Sequence, residues 1–239
     1  MPRTAGTDDR LPLRRARARR LFGLYAVTPD LADTAVLAAR AEAALDGGAT
    51  AIQYRSKLAD IALKRAQAEA LARVHAARGG LYIVNDDAAL AVAVGADGVH
   101  LGEDDGSVAA ARAIVGPERI IGVSCYDRFE LAEAAVAAGA DYVAFGSFYP
   151  SNVKPGARRA DLALLGRAAT LNVPVVAIGG ITAENAPALE RAGAYAVAVI
   201  SAVFDAPDVA AAARAIAGPW GKVGVAAASR ERARSANGR

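Results

Sequence analysis

The chain has 239 residues, 54% of them hydrophobic but only 5% aromatic, with a single cysteine, Cys125, and a formal net charge of +3. One cysteine excludes an internal disulfide framework. No apolar run approaches the ~20 residues that span a bilayer, and the N-terminus lacks the apolar core of a secretory signal, so a soluble, cytoplasmic protein is expected.

The charge is unevenly placed. Residues 1–20 carry seven arginines against Asp8 and Asp9, and residues 222–239 carry five cations against Glu231. The stretch 21–221 is therefore acidic overall, which argues against a folded nucleic-acid-binding face, where basic groups collect. Residues 1–20 read as a basic, disordered N-terminal tail and 222–239 as a basic C-terminal tail. An organellar transit peptide fits the start poorly, because of its aspartates and its lack of serine. A core rich in Ala, Val, Leu and Ile suits one large domain, 21–221.

From Leu21 onward one theme repeats: a short β-branched run, a polar or glycine-containing turn, then an alanine-rich helical stretch. Strands are predicted near 23–27, 50–55, 81–85, 98–101, 120–125, 142–146, 173–179 and 196–200, with helices between them and a last one near 207–217. The runs at 81–84 and 173–178 are almost wholly apolar, as parallel strands buried on both faces should be. Eight such units predict an α/β fold closed into a (β/α)8 TIM barrel. An open doubly wound sheet is the rival, weakened because no Gly-rich dinucleotide fingerprint follows the first strand. In such barrels the chemistry sits on loops after the C-terminal ends of the strands.

The candidate residues fall there. After the second strand comes Gln53-Tyr54-Arg55-Ser56-Lys57. Along an extended strand, 53, 55 and 57 would share a face, giving an amide and two cations suited to an anion with several oxygens. After the third strand comes Asn85-Asp86-Asp87, and after the fourth His100-Leu101-Gly102-Glu103-Asp104-Asp105. By itself Asn-Asp reads as a helix cap. Beside a cationic strand, carboxylates from adjacent loops suit a metal-bridged diphosphate, since Mg2+ is held by one or two carboxylates plus phosphates and waters. His100, inside an apolar strand, reads as a buried, satisfied histidine. Ser124 and Cys125 follow the fifth strand, and no histidine is positioned by sequence to activate either; Ser124 reads as a hydroxyl donor to substrate oxygen.

The loop after the sixth strand, 146–156, has the length and the glycine and proline content of a substrate-binding loop. Gly179-Gly180 follows the seventh strand and Ser201 the eighth, the usual place of a phosphate site in these barrels. Gly-Gly by itself is an ordinary tight turn.

Taken together, these motifs resemble the thiamine-phosphate synthase family from about Leu24 through Phe204. Family members join a pyrimidine methyl diphosphate to a thiazole phosphate and release pyrophosphate. The resemblance implies that Gln53, Tyr54, Arg55, Ser56, Lys57, Asn85, Ser124 and Lys154 hold the pyrimidine diphosphate, with Arg55, Lys57 and Lys154 stabilising the leaving group. It implies Mg2+ on Asp86 and Asp105, and thiazole phosphate on Gly180, Ile200 and Ser201. Ser151, Asn152 and Val153 would contact the thiazole partner. The implied mechanism is dissociative, a pyrimidine methyl cation being captured by the thiazole nitrogen, and needs no protein nucleophile.

Three positions depart from the family pattern. Its usual Thr-x-Thr-Lys is Ser151-Asn152-Val153-Lys154, its usual Gln is Glu103, and Ala196 stands where glycine is common. The expected partners are small-molecule substrates, with no nucleic acid and no membrane; a homo-oligomer is left open. A thiazole tautomerase would not need the diphosphate site. A silent thiazole- or thiamine-phosphate-binding regulator would not need Lys57, Lys154, Asp86 and Asp105. A sugar- or indole-pathway barrel isomerase would need an acid and base pair that the strand ends do not supply.

Overall fold

The periodic alternation of β-branched and alanine-rich segments resolves into strands and helices close to the expected bounds. The computed structural model describes residues 9–58, 60–150 and 158–220. Its strands are β1 (Gly23–Val27), β2 (Ala49–Tyr54), β3 (Leu81–Asn85), β4 (Gly98–Leu101), β5 (Ile120–Tyr126), β6 (Tyr142–Gly146), β7 (Val175–Ile178) and β8 (Ala196–Val199). All pair in parallel in chain order, and β8 returns to β1 to close the barrel. Closure leaves no unpaired sheet edge, which excludes the open doubly wound arrangement. The seventh strand is shorter than the expected 173–179. Pro174 lacks an N–H for the ladder, and Gly179 turns away at φ 104°.

Helices α2 (Thr34–Asp46), α3 (Ile61–Arg78), α4 (Ala88–Ala93), α5 (Val108–Val115), α6 (Phe129–Ala137), α7 (Ala163–Ala168), α8 (Ala186–Ala192), α9 (Ser201–Phe204) and α10 (Val209–Ala217) follow their strands. Five of them begin on an acidic or hydroxyl cap: Asp33, Asp60, Asp87, Ser107 and Asp208 each accept from backbone N–H groups of the first turn. Each such cap stabilises its helix by about 1 kcal/mol. None of these helices, nor any other among the described residues, is long and apolar enough to cross a membrane.

Apolar burial falls into two layers. Between strands and helices lies a layer built from residues such as Leu24, Ile52, Val84, Val143 and Leu189. Inside the barrel lies a smaller cluster, where Tyr25 and Tyr142 are surrounded by Ala51, Ala144, Ala196 and Ala198. Two large rings fill the lumen because their neighbours on adjacent strands are small. Ala196, the departure from family glycine, belongs to this lining and is fully buried.

The expectation of a tail over 1–20 needs correction. Residues 11–18 form a helix, α1 (Leu11–Ala18). Its Arg14 is 2% exposed and sends Nε to Asp141 Oδ1 at 3.1 Å and Nη1 to the Pro117 carbonyl at 2.9 Å. Ala18 and Leu21 are fully buried and join the cluster inside the barrel. Asp141, itself fully buried before β6, also accepts from Arg112 Nη2 at 2.7 Å and Ile121 N–H at 2.9 Å. The segment thus closes the N-terminal end of the barrel. Its arginine count concealed an inward stripe, Arg14 and Ala18 being one helical turn apart. Residues 1–8 and 222–239 lie outside the described residues.

Candidate active site

At the C-terminal end of β2 the expected row of 53, 55 and 57 is realised differently. Gln53 points into the barrel, 5% exposed, with Nε2 donating to the Tyr25 hydroxyl at 2.7 Å. Tyr54 faces the other way, and its hydroxyl donates to Gln67 Oε1 of α3 at 3.0 Å. Its side chain therefore belongs to the packing between barrel and helix, and only its backbone is left for the expected substrate contact. Strand alternation requires this, since Gln53 is the inward neighbour. Beyond Tyr54 the strand has ended, and the neighbouring β1–α2 loop takes over. Arg55 N–H donates to Thr28 Oγ1 at 2.9 Å, and Thr28 Oγ1 in turn donates to the Arg55 carbonyl at 3.0 Å. Arg55 Nη1 lies 3.7 Å from Asp30 Oδ2. Lys57 N–H donates to Asp30 Oδ1 at 2.6 Å, and the Lys57 side chain is exposed at the mouth. Ser56 turns its Oγ toward Leu58 N–H at 3.3 Å.

Sequence reading missed Thr28 and Asp30. Their signal was positional: Thr28-Pro29-Asp30 follows the first strand, where this fold places its functional loops.

The carboxylates come from the next two loops. Asp87, not Asp86, caps α4, accepting from Leu90 N–H at 2.7 Å. Asp86 adopts φ 66° and its N–H donates to the His100 carbonyl at 2.8 Å, continuing the register in which Asn85 faces His100. The β3–α4 loop is thereby bound to the end of β4, just beyond which Gly102 N–H donates to Asp105 Oδ2 at 2.7 Å. Among the described residues no three or more His, Cys, Asp and Glu side chains gather as a self-sufficient metal cage. Two hard carboxylates from adjoining loops match the donor chemistry of a cation that takes its remaining oxygens from phosphate and water.

His100 is buried and satisfied, as its place in an apolar strand suggested. Its Nδ1 lies 3.0 Å from the Tyr142 hydroxyl and its Nε2 lies 2.9 Å from Ser124 Oγ. A histidine does therefore reach Ser124, contrary to the sequence reading. Its ring nitrogens pair with hydroxyls, and burial, outweighing the opposing charge of Asp105, pushes its pKa down to about 4. So weak a base does not make Ser124 a nucleophile. The Cys125 thiol is buried and pushed up to about 12, which keeps it protonated and inert.

Across the mouth the loops after β7 and β8 line a cavity of about 220 Å³. Gly180, Thr182, Ile200 and Ser201 are among its walls. Gly180 sits at φ 63°, and a β-carbon there would overlap the Pro150 carbonyl. Asn185, also missed, pins this loop: its Nδ2 donates to the Gly180 carbonyl at 3.0 Å and its Oδ1 accepts from Thr182 N–H at 2.9 Å. Ile200 precedes the first turn of α9, where backbone N–H groups lack intrahelical acceptors. Backbone donors, glycine and a hydroxyl are the parts of a phosphate cradle.

The long loop after β6 starts and ends on this side of the barrel. Tyr149 N–H donates to the Gly179 carbonyl at 3.0 Å, and Ser147 N–H to the Arg158 carbonyl at 3.3 Å. The assignments to Ser151, Asn152, Val153 and Lys154 lie outside the described residues.

A model described as thiamine monophosphate synthase matches residues 24–203, from β1 into α9. The chain belongs to the thiamine monophosphate synthase family. The thiamine-phosphate synthase of Chromobacterium violaceum is 58% identical over 202 residues, covering 84% of this chain and 98% of that protein. That of Thiobacillus denitrificans is 58% identical over 192 residues, covering 80% of this chain and 91% of its own length. Among solved structures, thiamine phosphate pyrophosphorylase from Pyrococcus furiosus superposes with a TM-score of 0.76 at 36% identity, covering 86% of this chain and 98% of that one. The match to the thiamine monophosphate synthase family takes in every expected site residue from Gln53 to Ser201, and excludes α1 and α10.

Proposed function

We propose that this protein is a thiamine-phosphate synthase: it joins 4-amino-2-methyl-5-(diphosphooxymethyl)pyrimidine to a thiazole phosphate, giving thiamine phosphate and pyrophosphate. The observation that carries the reading is the presence of two chemically unlike groups of residues across one barrel mouth, which we read as two anion sites. One combines Arg55 and Lys57 with Asp86 and Asp105, and the other is the backbone cradle at Gly180, Ile200 and Ser201. A tautomerase or a general phosphate-binding isomerase has use for the second site but not the first.

The chain's own groups act mainly by position and charge. Arg55 and Lys57, joined in our reading by Lys154, accept the negative charge that builds on pyrophosphate as its bond to the methylene carbon breaks. Asp86 and Asp105 would hold Mg2+, which when bound supplies further charge neutralisation at the diphosphate. Gln53, Asn85 and Ser124 hold the pyrimidine, and the cradle holds the thiazole phosphate so that its ring nitrogen faces the departing group's carbon. Bond breaking ahead of bond making requires no protein nucleophile, in keeping with the inert Cys125 and with Ser124 paired to a weak base. Holding both partners in line supplies much of the acceleration.

The test is pyrophosphate release by purified protein given the pyrimidine diphosphate and Mg2+, with and without thiazole phosphate. Release that requires both substrates and stops on chelation is expected. No release, with thiazole phosphate still bound, would replace this reading with that of a silent binder or a tautomerase.

A further inference from the structure

Five polar side chains from five strands form one continuous chain through the barrel lumen. Gln53 Nε2 donates to the Tyr25 hydroxyl at 2.7 Å, and Tyr25 and Tyr142 hydroxyls lie 3.0 Å apart. Tyr142 reaches His100 Nδ1 at 3.0 Å, and His100 Nε2 reaches Ser124 Oγ at 2.9 Å. The three middle members are almost wholly enclosed: Tyr25 is 1% exposed, Tyr142 fully buried and His100 6% exposed. The two ends, Gln53 and Ser124, are the pyrimidine contacts assigned above.

The space for this chain is built in. Strand register aligns His100 of β4, Gly122 of β5 and Tyr142 of β6 in one row. A β-carbon at Gly122 would fall inside the Tyr142 ring. Only glycine lets that ring lie across β5 and stack on His100, with centroids 5.5 Å apart and planes 26° from parallel.

Counting protons gives the chain a direction. Each hydroxyl has one hydrogen to donate. Tyr25, accepting from Gln53, must spend its own on Tyr142. Tyr142 then spends its own on His100 Nδ1, which makes Nδ1 an acceptor and puts the ring proton on Nε2. That proton goes to Ser124 Oγ, so the Ser124 hydrogen is directed elsewhere. At the other end Gln53, with one amide hydrogen given to Tyr25, has its orientation set and keeps its carbonyl oxygen and its second N–H for a ligand. Reversing any one link reverses them all.

We propose that Tyr25, Tyr142 and His100 are positioning residues that set the orientation of the Gln53 amide and leave the Ser124 hydrogen for a ring acceptor, and so favour a ring that brings an amino group to the Gln53 carbonyl oxygen and a lone pair to Ser124. This rests on the synthase reading for the identity of that ring, an aminopyrimidine. A ring with a carbonyl in place of the amino group leaves the Gln53 carbonyl oxygen without its donor and binds more weakly.

The experiment reads the tautomer directly. The chain holds two histidines, His75 and His100, so a long-range 1H–15N spectrum of labelled protein contains two imidazoles, separated by the His75→Gln variant. His100 is expected as the neutral Nε2–H tautomer, with and without the pyrimidine diphosphate. Tyr25→Phe breaks the chain at its centre and keeps the ring. It is expected to admit the Nδ1–H tautomer, raise KM for the pyrimidine diphosphate about tenfold with kcat nearly kept, and leave KM for thiazole phosphate unchanged. Tyr142→Phe, which removes the donor to Nδ1, should repeat this pattern and serves if the first variant folds poorly. An Nδ1–H tautomer in the unmodified protein overturns the proposal, as do two folded variants with unchanged tautomer and KM. Unmodified protein that shows Nε2–H but releases no pyrophosphate overturns the synthase reading, and with it the aminopyrimidine as the ligand.

Discussion

Asp30 holds Lys57 by its backbone: the Lys57 N–H donates to Asp30 Oδ1 at 2.6 Å, while the other carboxylate oxygen lies 3.7 Å from Arg55 Nη1. One carboxylate from the loop after β1 thus sets the course of the cationic segment after β2. Asp30→Ala is expected to raise KM for the pyrimidine diphosphate roughly tenfold, since a hydrogen bond to a charged group contributes about 1.5–3 kcal/mol. Steady-state kinetics check it. An unchanged KM would mean that the pairing with Thr28 is enough to place both cations.

On the synthase reading, Lys57→Ala removes a cation that neutralises the departing pyrophosphate, and Asp86→Ala removes a carboxylate that would hold Mg2+ beside it. Each is expected to lower kcat about 10²–10³-fold, the range for a lost group that acts on developing charge. Lys57 is exposed and so leaves the melting temperature nearly unchanged, within about 2 °C. Pyrophosphate release and thermal melting, measured on the same samples, separate lost chemistry from lost fold. Near-normal turnover in either variant would remove the diphosphate from this side of the mouth.

Arg14 shares the fully buried Asp141 with Arg112. Arg14→Ala leaves that carboxylate with one cationic partner in place of two and is expected to cost about 3 kcal/mol. Urea unfolding reads the loss. Arg19→Ala, on the exposed side of the same segment, should stay within about 0.5 kcal/mol. Equal effects from the two would mean that α1 contributes through charge alone and not through its inward face.

Cys125 should resist alkylation in the folded protein. Its thiol is pushed up to about 12 by burial, so at pH 8 about one molecule in 10⁴ carries the thiolate. Iodoacetamide followed by mass spectrometry should label it about 10³-fold more slowly than in the denatured chain, and no other cysteine competes. The sign of the linkage follows. The folded state keeps a proton that the unfolded state releases above about pH 9, so this group lowers stability as pH rises from there toward 12. Rapid labelling at pH 8 would show that β5 opens far more readily than its burial implies.

Much of the molecule could be read along the chain because its signals are local. A β-branched run and an alanine-rich run differ in period whatever lies across the barrel, so all eight strands were placed within a few residues. Gly179-Gly180 and the Arg55–Lys57 segment were recognisable because the fold assigns chemistry to the positions just after strands. Contacts that bridge distant segments had no such signal. Tyr25 and Tyr142, hydrogen bonded to each other, are 117 positions apart, and which of their faces met depended on barrel closure and register. Tyr54 and Gln53 are adjacent in sequence, yet strand pleat sent one to the helices and the other to the lumen. The arginines of α1 signalled charge, while one of them had a buried carboxylate waiting at β6. The sequence by itself determined the fold class, the order of its units and the kinds of chemical group at the mouth. The tertiary structure alone decided which of those groups face one another, because burial and hydrogen-bond partners are properties of the closed barrel and not of any segment.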